Sequence, residues 1–151
     1  MKRLFIIYCV SFFFLHSLAQ EGHIVKKKFY DGKFNQQDTS AGYTEAVLAD
    51  NVLYISGWLD KGSIAEQLQG IYTALEKILK AYGATYQNVV KETLFTTDIE
   101  AVKTNNAVRK AFYKDDYPAA TWIQITRLFS ARPDAQIEVE LIAHLPKLSP
   151  K

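Results

Sequence analysis

One amphipathic helix constrains this chain more than any other segment. Ile64, Leu68, Ile71, Leu75, Ile78, Leu79 and Tyr82 recur at 3.6-residue spacing and line a single face. Ser63 with Glu66 three residues later has the form of a capping box, and Gly83 supplies a C-terminal stop. A helix with one apolar stripe must lay it against a partner. The flanking segments read as strands, so the expected partner is a sheet, and the stripe is core rather than a docking surface.

The strands follow from local pattern. Tyr43–Ala49 and Val52–Ser56 flank Asp50-Asn51, a tight hairpin turn, with Gly57 expected to end the second strand. Phe29-Tyr30 before Asp31-Gly32 suggests an earlier short strand and turn, with Lys26-Lys27-Lys28 as a solvated strand edge. Val89–Thr97 is a further strand. Asp98 can cap a second helix over Ile99–Tyr113, with Val102, Asn106, Arg109 and Tyr113 on one stripe. Ala119–Leu128 and Ala135–His144 complete the set. The order β-β-β-α-β-α-β-β gives an α+β class with two helices on one face of a sheet. In the last strand Ile137, Val139 and Leu141 face the core, opposite Glu138, Glu140 and Ile142. In the strand before it, Ile123 and Ile125 are expected on the core side, which places Ala120, Trp122, Gln124 and Thr126 with Glu138. A non-core face mixing two Glu with a Trp suits a wet subunit interface.

Residues 1–19 stand apart. Lys2 and Arg3 precede an apolar run from Leu4 to Leu15, and Ser17-Leu18-Ala19 fits a signal-peptidase site. The run is too short for a spanning helix, which needs about 20 apolar residues. Cys9 lies inside the run without the small residues that precede a lipidated Cys. The expectation is a cleaved signal, a single domain over 20–151, and a secreted or periplasmic product with no membrane attachment after cleavage. Removing Lys2 and Arg3 from the 18 basic residues leaves them equal to the 16 acidic ones. A near-neutral domain has no electrostatic reason to bind nucleic acid. It also has no Cys, and its two His, His23 and His144, lack metal-ligand spacing, so neither a metal nor a cofactor is expected. No Gly-rich phosphate loop occurs, and Ser56 has no His or Lys partner at motif spacing.

Four segments resemble the YjgF/RidA family, the reactive intermediate deaminases also described as endoribonuclease L-PSP-like. They are Gly42-Tyr43 before a strand; Ile55-Ser56-Gly57 at a strand end; Val89-Val90-Lys91-Glu92-Thr93 through Asp98, followed by Asn106 and Ala111-Phe112-Tyr113; and Tyr117-Pro118-Ala119 through Ile137-Glu138-Val139-Glu140. The resemblance implies the chorismate-mutase-like YjgF fold, a homotrimer, and small-molecule clefts between subunits. In active members an Arg directly after the Pro-Ala binds the substrate carboxylate. A Glu of the last strand positions the water that hydrolyses an imine to a ketone and ammonia. Carried over residue by residue, the family Tyr falls on Tyr43, the Ser-Gly on Ser56 and Gly57, and the Glu on Glu138. The Arg position holds Ala120, and Trp122 stands where many members have a small residue or Cys. Arg109, Arg127 and Arg132 are the candidate replacements for the lost cation. The expected function is small-molecule binding without efficient deaminase turnover; the alternatives are a divergent imine hydrolase using Glu138 and, with less support, a ribonuclease.

Overall fold

Helix α1 (Ile64–Ala81) has the expected ends and the expected buried face. The Ser63 hydroxyl accepts the Glu66 backbone N–H while the Glu66 carboxylate accepts the Ser63 N–H at 2.8 Å. Gly83, at φ 69°, takes the left-handed conformation just past the end. Leu68, Ile71, Leu75, Ile78 and Leu79 are buried against the sheet, each adding about 1.5–3 kcal/mol relative to exposure. Gln67 is buried with them: its amide donates to the Gly62 and Asp134 carbonyls and accepts the Gln136 N–H.

The computed structural model describes residues 24–29, 42–130 and 133–146. The expected signal segment and the Asp31-Gly32 turn lie outside them. Six strands, β1 (Lys26–Phe29), β2 (Ala46–Ala49), β3 (Val52–Leu59), β4 (Val89–Thr96), β5 (Ala119–Gln124) and β6 (Ile137–His144), form one mixed sheet in the order β1-β2-β3-β6-β4-β5. All neighbours are antiparallel except β4 and β5, which are parallel. A parallel pair needs a crossover. Here it consists of α2 (Ile99–Thr104) and α3 (Ala107–Tyr113), which pack beside α1 on the same side of the sheet. Leu53, Ile55, Leu94, Ile137, Val139 and Leu141 point toward these helices and are buried. The class is α+β, with the sheet covered on one face by three helices rather than two.

Four expectations are corrected. The helix expected over Ile99–Tyr113 breaks at Asn105-Asn106. Asn is a weak helix former, and the Asn105 amide instead donates to the Ala101 carbonyl, closing α2. Asp98 caps α2 as anticipated, accepting the Ala101 N–H at 3.0 Å. Gly57 does not end its strand. The β3–β6 register shifts between Ile55 and Trp58, so Ser56-Gly57 forms an irregularity and the strand continues to Leu59. The expected strand over Ala119–Leu128 is paired only from Ala119 to Gln124.

The fourth correction concerns the facing of β5. Ala120 is in register with Glu92, and Trp122 with Leu94. Glu92 and Leu94 are fully buried beneath the helices. Ala120, Trp122 and Gln124 therefore face the helix side, and Ile123, 37% exposed, faces away. Gln124 confirms the facing by accepting the first N–H of α2, from Ile99. The alternation of Ile123 and Ile125 misleads because β5 is an edge strand that ends between them. The large indole, not the isoleucines, reaches across to α3.

The α1 cap gives a direct test. Replacing Ser63 with Ala should lower unfolding free energy by about 1 kcal/mol, read from the urea midpoint at unchanged m-value.

Candidate functional site

Candidate residues gather in two places, one on each face of the sheet. On the open face, Ser56 and Gly57 occupy the β3 irregularity beside β6. The Ser56 hydroxyl donates to the Thr44 carbonyl at 2.7 Å and its N–H donates to the Glu45 carbonyl at 2.9 Å. Both bonds tie the segment carrying Tyr43 to β3. Ser56 thus acts as a fastener, with its proton already committed. Tyr43, next to Thr44 in the chain, is 46% exposed.

Glu138 lies directly over Gly57. A Cβ at position 57 would come 1.8 Å from Glu138 Oε1, so only glycine admits the carboxylate there. Glu138 is half-buried and accepts no hydrogen bond among the described residues. Burial raises its pKa above the ordinary 4.5, and the like charge of Glu140, two residues along the same face, raises it further. A carboxyl group with raised proton affinity and unused lone pairs can hold a water and take a proton from it.

The helix face carries a different arrangement, centred on Glu92, which has no exposed surface. Its Oε2 accepts the Tyr72 hydroxyl at 3.0 Å and the Tyr113 hydroxyl at 2.7 Å. Its Oε1 accepts Arg109 Nε at 2.7 Å and Trp122 Nε1 at 3.3 Å. The Arg109 guanidinium lies over the rings of Tyr113, Tyr117 and Trp122, at 5.0, 5.6 and 5.5 Å from their centroids. Burial opposes the Arg109 charge, but the Glu92 carboxylate outweighs it and raises the pKa. Burial, then the negative charge of Glu92, pushes both tyrosine hydroxyls well up.

Of the residues expected from sequence, Ser56, Gly57 and Glu138 come together on the open face, and the segment carrying Tyr43 is tied to β3 through Thr44 and Glu45. Ala120 and Trp122 stand on the opposite face, beside Glu92 and Arg109. The expected sharing of one face by Trp122 and Glu138 is overturned by the β5 register. The expected stacking surface on Trp122 is also partly taken, since Arg109 already lies over the ring. Arg127 is exposed beyond the end of β5, and Arg132 lies outside the described residues. Among the described residues, no three His, Cys, Asp or Glu side chains group as metal ligands, and no helix is long and apolar enough to cross a membrane.

Glu92 is the residue that sequence reasoning missed as a site. Its signal was present. Leu94 is a core position of β4, and Glu92 shares its parity. Arg109 lies on the same stripe of the crossover as the apolar Val102 and the aromatic Tyr113. Two opposite charges on two buried faces imply a pair.

Residues 34–145 match the family described as Endoribonuclease L-PSP. The chain is 34% identical over 110 residues to the 2-iminobutanoate/2-iminopropanoate deaminase of Bos taurus, covering 67% of this chain and 78% of that protein. It is 36% identical over 112 residues to a RutC family protein of Drosophila melanogaster, covering 68% and 79% respectively. Among solved structures, RidA from an Antarctic Psychrobacter is similar at a TM-score of 0.63 and 26% identity, covering 68% of this chain and 88% of that one. A YjgF family member from Mycobacterium tuberculosis shares the fold at a TM-score of 0.71 and 23% identity, covering 80% of this chain and all of that one. The fold, the matched span and these identities agree: the chain belongs to the YjgF/RidA family, the endoribonuclease L-PSP family.

Proposed function

We propose that this chain is exported by its N-terminal segment, assembles as a homotrimer, and binds a small organic molecule in clefts between subunits with little imine deaminase turnover. The observation that carries the reading is the division of the candidate residues between two faces. Gly57 and Glu138 lie on the open face, while Ala120 and Trp122 lie on the helix side of edge strand β5. One ligand touches both groups only where the open face of one copy meets the β5 edge of another. The open face supports self-association, since it leaves Tyr54 49% exposed beside the half-buried Ile142, and Ile123 37% exposed further along on β5. Closed cyclic symmetry is the common way to cover such a face.

The weak turnover follows from charge. A carboxylate entering the cleft sheds water, at a cost of several kcal/mol unless donors replace it. Ala120 offers none, and Glu138 adds repulsion. The relatives named as deaminases suggest a second reading, in which this chain also hydrolyses imino acids. The raised proton affinity of Glu138 favours it, because that carboxyl group can position water and accept its proton.

Ammonia release from freshly generated 2-iminopropanoate separates the two readings: the first expects a rate near the uncatalysed one, and robust turnover lost in Glu138→Gln would establish the second. Light scattering at micromolar concentration should give three times the mature chain mass, and a monomer mass would reject the assembly. Glu138 also sets a pH dependence in the separated subunit. Its folded-state pKa lies above 4.5, so the native form holds its proton longer than the unfolded form. Its contribution to stability should then fall as pH rises from 4.5 through the raised value. Urea midpoints measured from pH 4 to 7 should show a shallower decline for Glu138→Gln.

A further inference from the structure

The Glu92–Arg109 pair does more than fill the space under the helices. The four donors on Glu92 leave its carboxylate saturated. Arg109 contributes only Nε to that set, and its two terminal amino groups make no hydrogen bond among the described residues. They are not sealed in either, because the only fully buried side-chain nitrogen or oxygen without a partner among those residues is Asn106 Oδ1. The edge of the guanidinium therefore meets the surface through a narrow opening, the side chain being 9% exposed. Around it stand Tyr117, 43% exposed, the indole of Trp122, and Ala120, whose methyl group lies opposite Glu92 on the β4–β5 register.

The chemistry of that opening is distinctive. It offers hydrogen-bond donors in a plane, walled by aromatic rings, from a cation whose charge is already matched by Glu92. An incoming anion would lose hydration without meeting net positive charge. A neutral acceptor gives up less water and gains the same donors. Planar rings beside it favour a flat, conjugated ligand. Resting on the inter-subunit cleft reading above, we propose that the Arg109–Glu92 pair is the specificity element of the site, selecting an uncharged planar ligand with a carbonyl-type acceptor over a carboxylate.

Benzamide and benzoate share a flat ring and a conjugated oxygen acceptor but differ in charge, and they serve as probes. The full-length mature protein, 15N-labelled, would be titrated with each while the Trp122 indole N–H and the Gly57 amide are followed. Benzamide is expected to shift the Trp122 signal and to bind at least about tenfold more tightly than benzoate, a difference typical of one well-placed hydrogen-bonding group. Glu92→Gln, which uncovers the Arg109 charge, should move the preference toward benzoate. Tyr117→Leu, at an exposed position that leaves the buried pair intact, should weaken benzamide several-fold and keeps the test decisive if Glu92→Gln does not fold. Equal or tighter benzoate binding by the unaltered protein overturns the proposal. If the probes shift Gly57 but not Trp122, the cleft reading stands and this inference fails. If neither signal moves at millimolar probe, both fail.

Discussion

Burying the Glu92 carboxylate is the constraint on which the rest of the structure depends. Moving an ion of this size out of water costs several kcal/mol even after relaxation. The fold offsets that cost with four donors drawn from three other elements: Tyr72 on α1, Arg109 and Tyr113 on α3, and Trp122 on β5. Those elements cannot shift independently without leaving a buried charge short of a partner. The pair thereby fixes how the crossover sits on the sheet. It also decides which way β5 faces, because Trp122 must turn inward to donate. Ala120, two residues earlier, is carried to the same face.

The two faces consequently have different characters. The helix side is closed by packing and by this network. The open side is shaped by backbone: the Ser56-Gly57 irregularity removes one side chain from β3 and lets Glu138 lie flat against the main chain. A carboxyl group placed there keeps its lone pairs unused and its proton affinity raised. Under the proposed assembly, residues from the two faces would line one cleft only where copies meet. Position 120 itself carries only a methyl group, and the Arg109 guanidinium on α3 is already paired with Glu92.

Much of this was legible before the structure. The α1 stripe, its capping box, the hairpin at Asp50-Asn51 (φ 54° at Asp50) and the facing of β6 all follow from periodicity and local chemistry, which act over a few residues. The order of strands and the family also agree with what the motifs imply. Two of the misreadings turned on a long-range contact. The facing of β5 depends on Glu92, thirty residues from Trp122. The course of β3 through Gly57 depends on its pairing with β6. The break at Asn105-Asn106 has a local reason, an amide that prefers a main-chain carbonyl to continuing the helix, and Asn-Asn in a predicted helix interior was its readable sign. Glu92 itself was readable too, as a charge at a core position awaiting an opposite charge elsewhere.

A double-mutant cycle on Glu92 and Arg109 tests the central claim most directly. Unfolding free energies would be measured in urea, at one protein concentration, for Glu92→Leu, Arg109→Leu and the double variant. Removing either partner alone strands a buried charge and should cost about 3–5 kcal/mol. Removing both should cost less than the sum of the two by at least about 1.5 kcal/mol, since no ion is then left unpaired. Additive losses would contradict the account, because the two side chains would then contribute separately and the buried pair would not hold the crossover, β4 and β5 together.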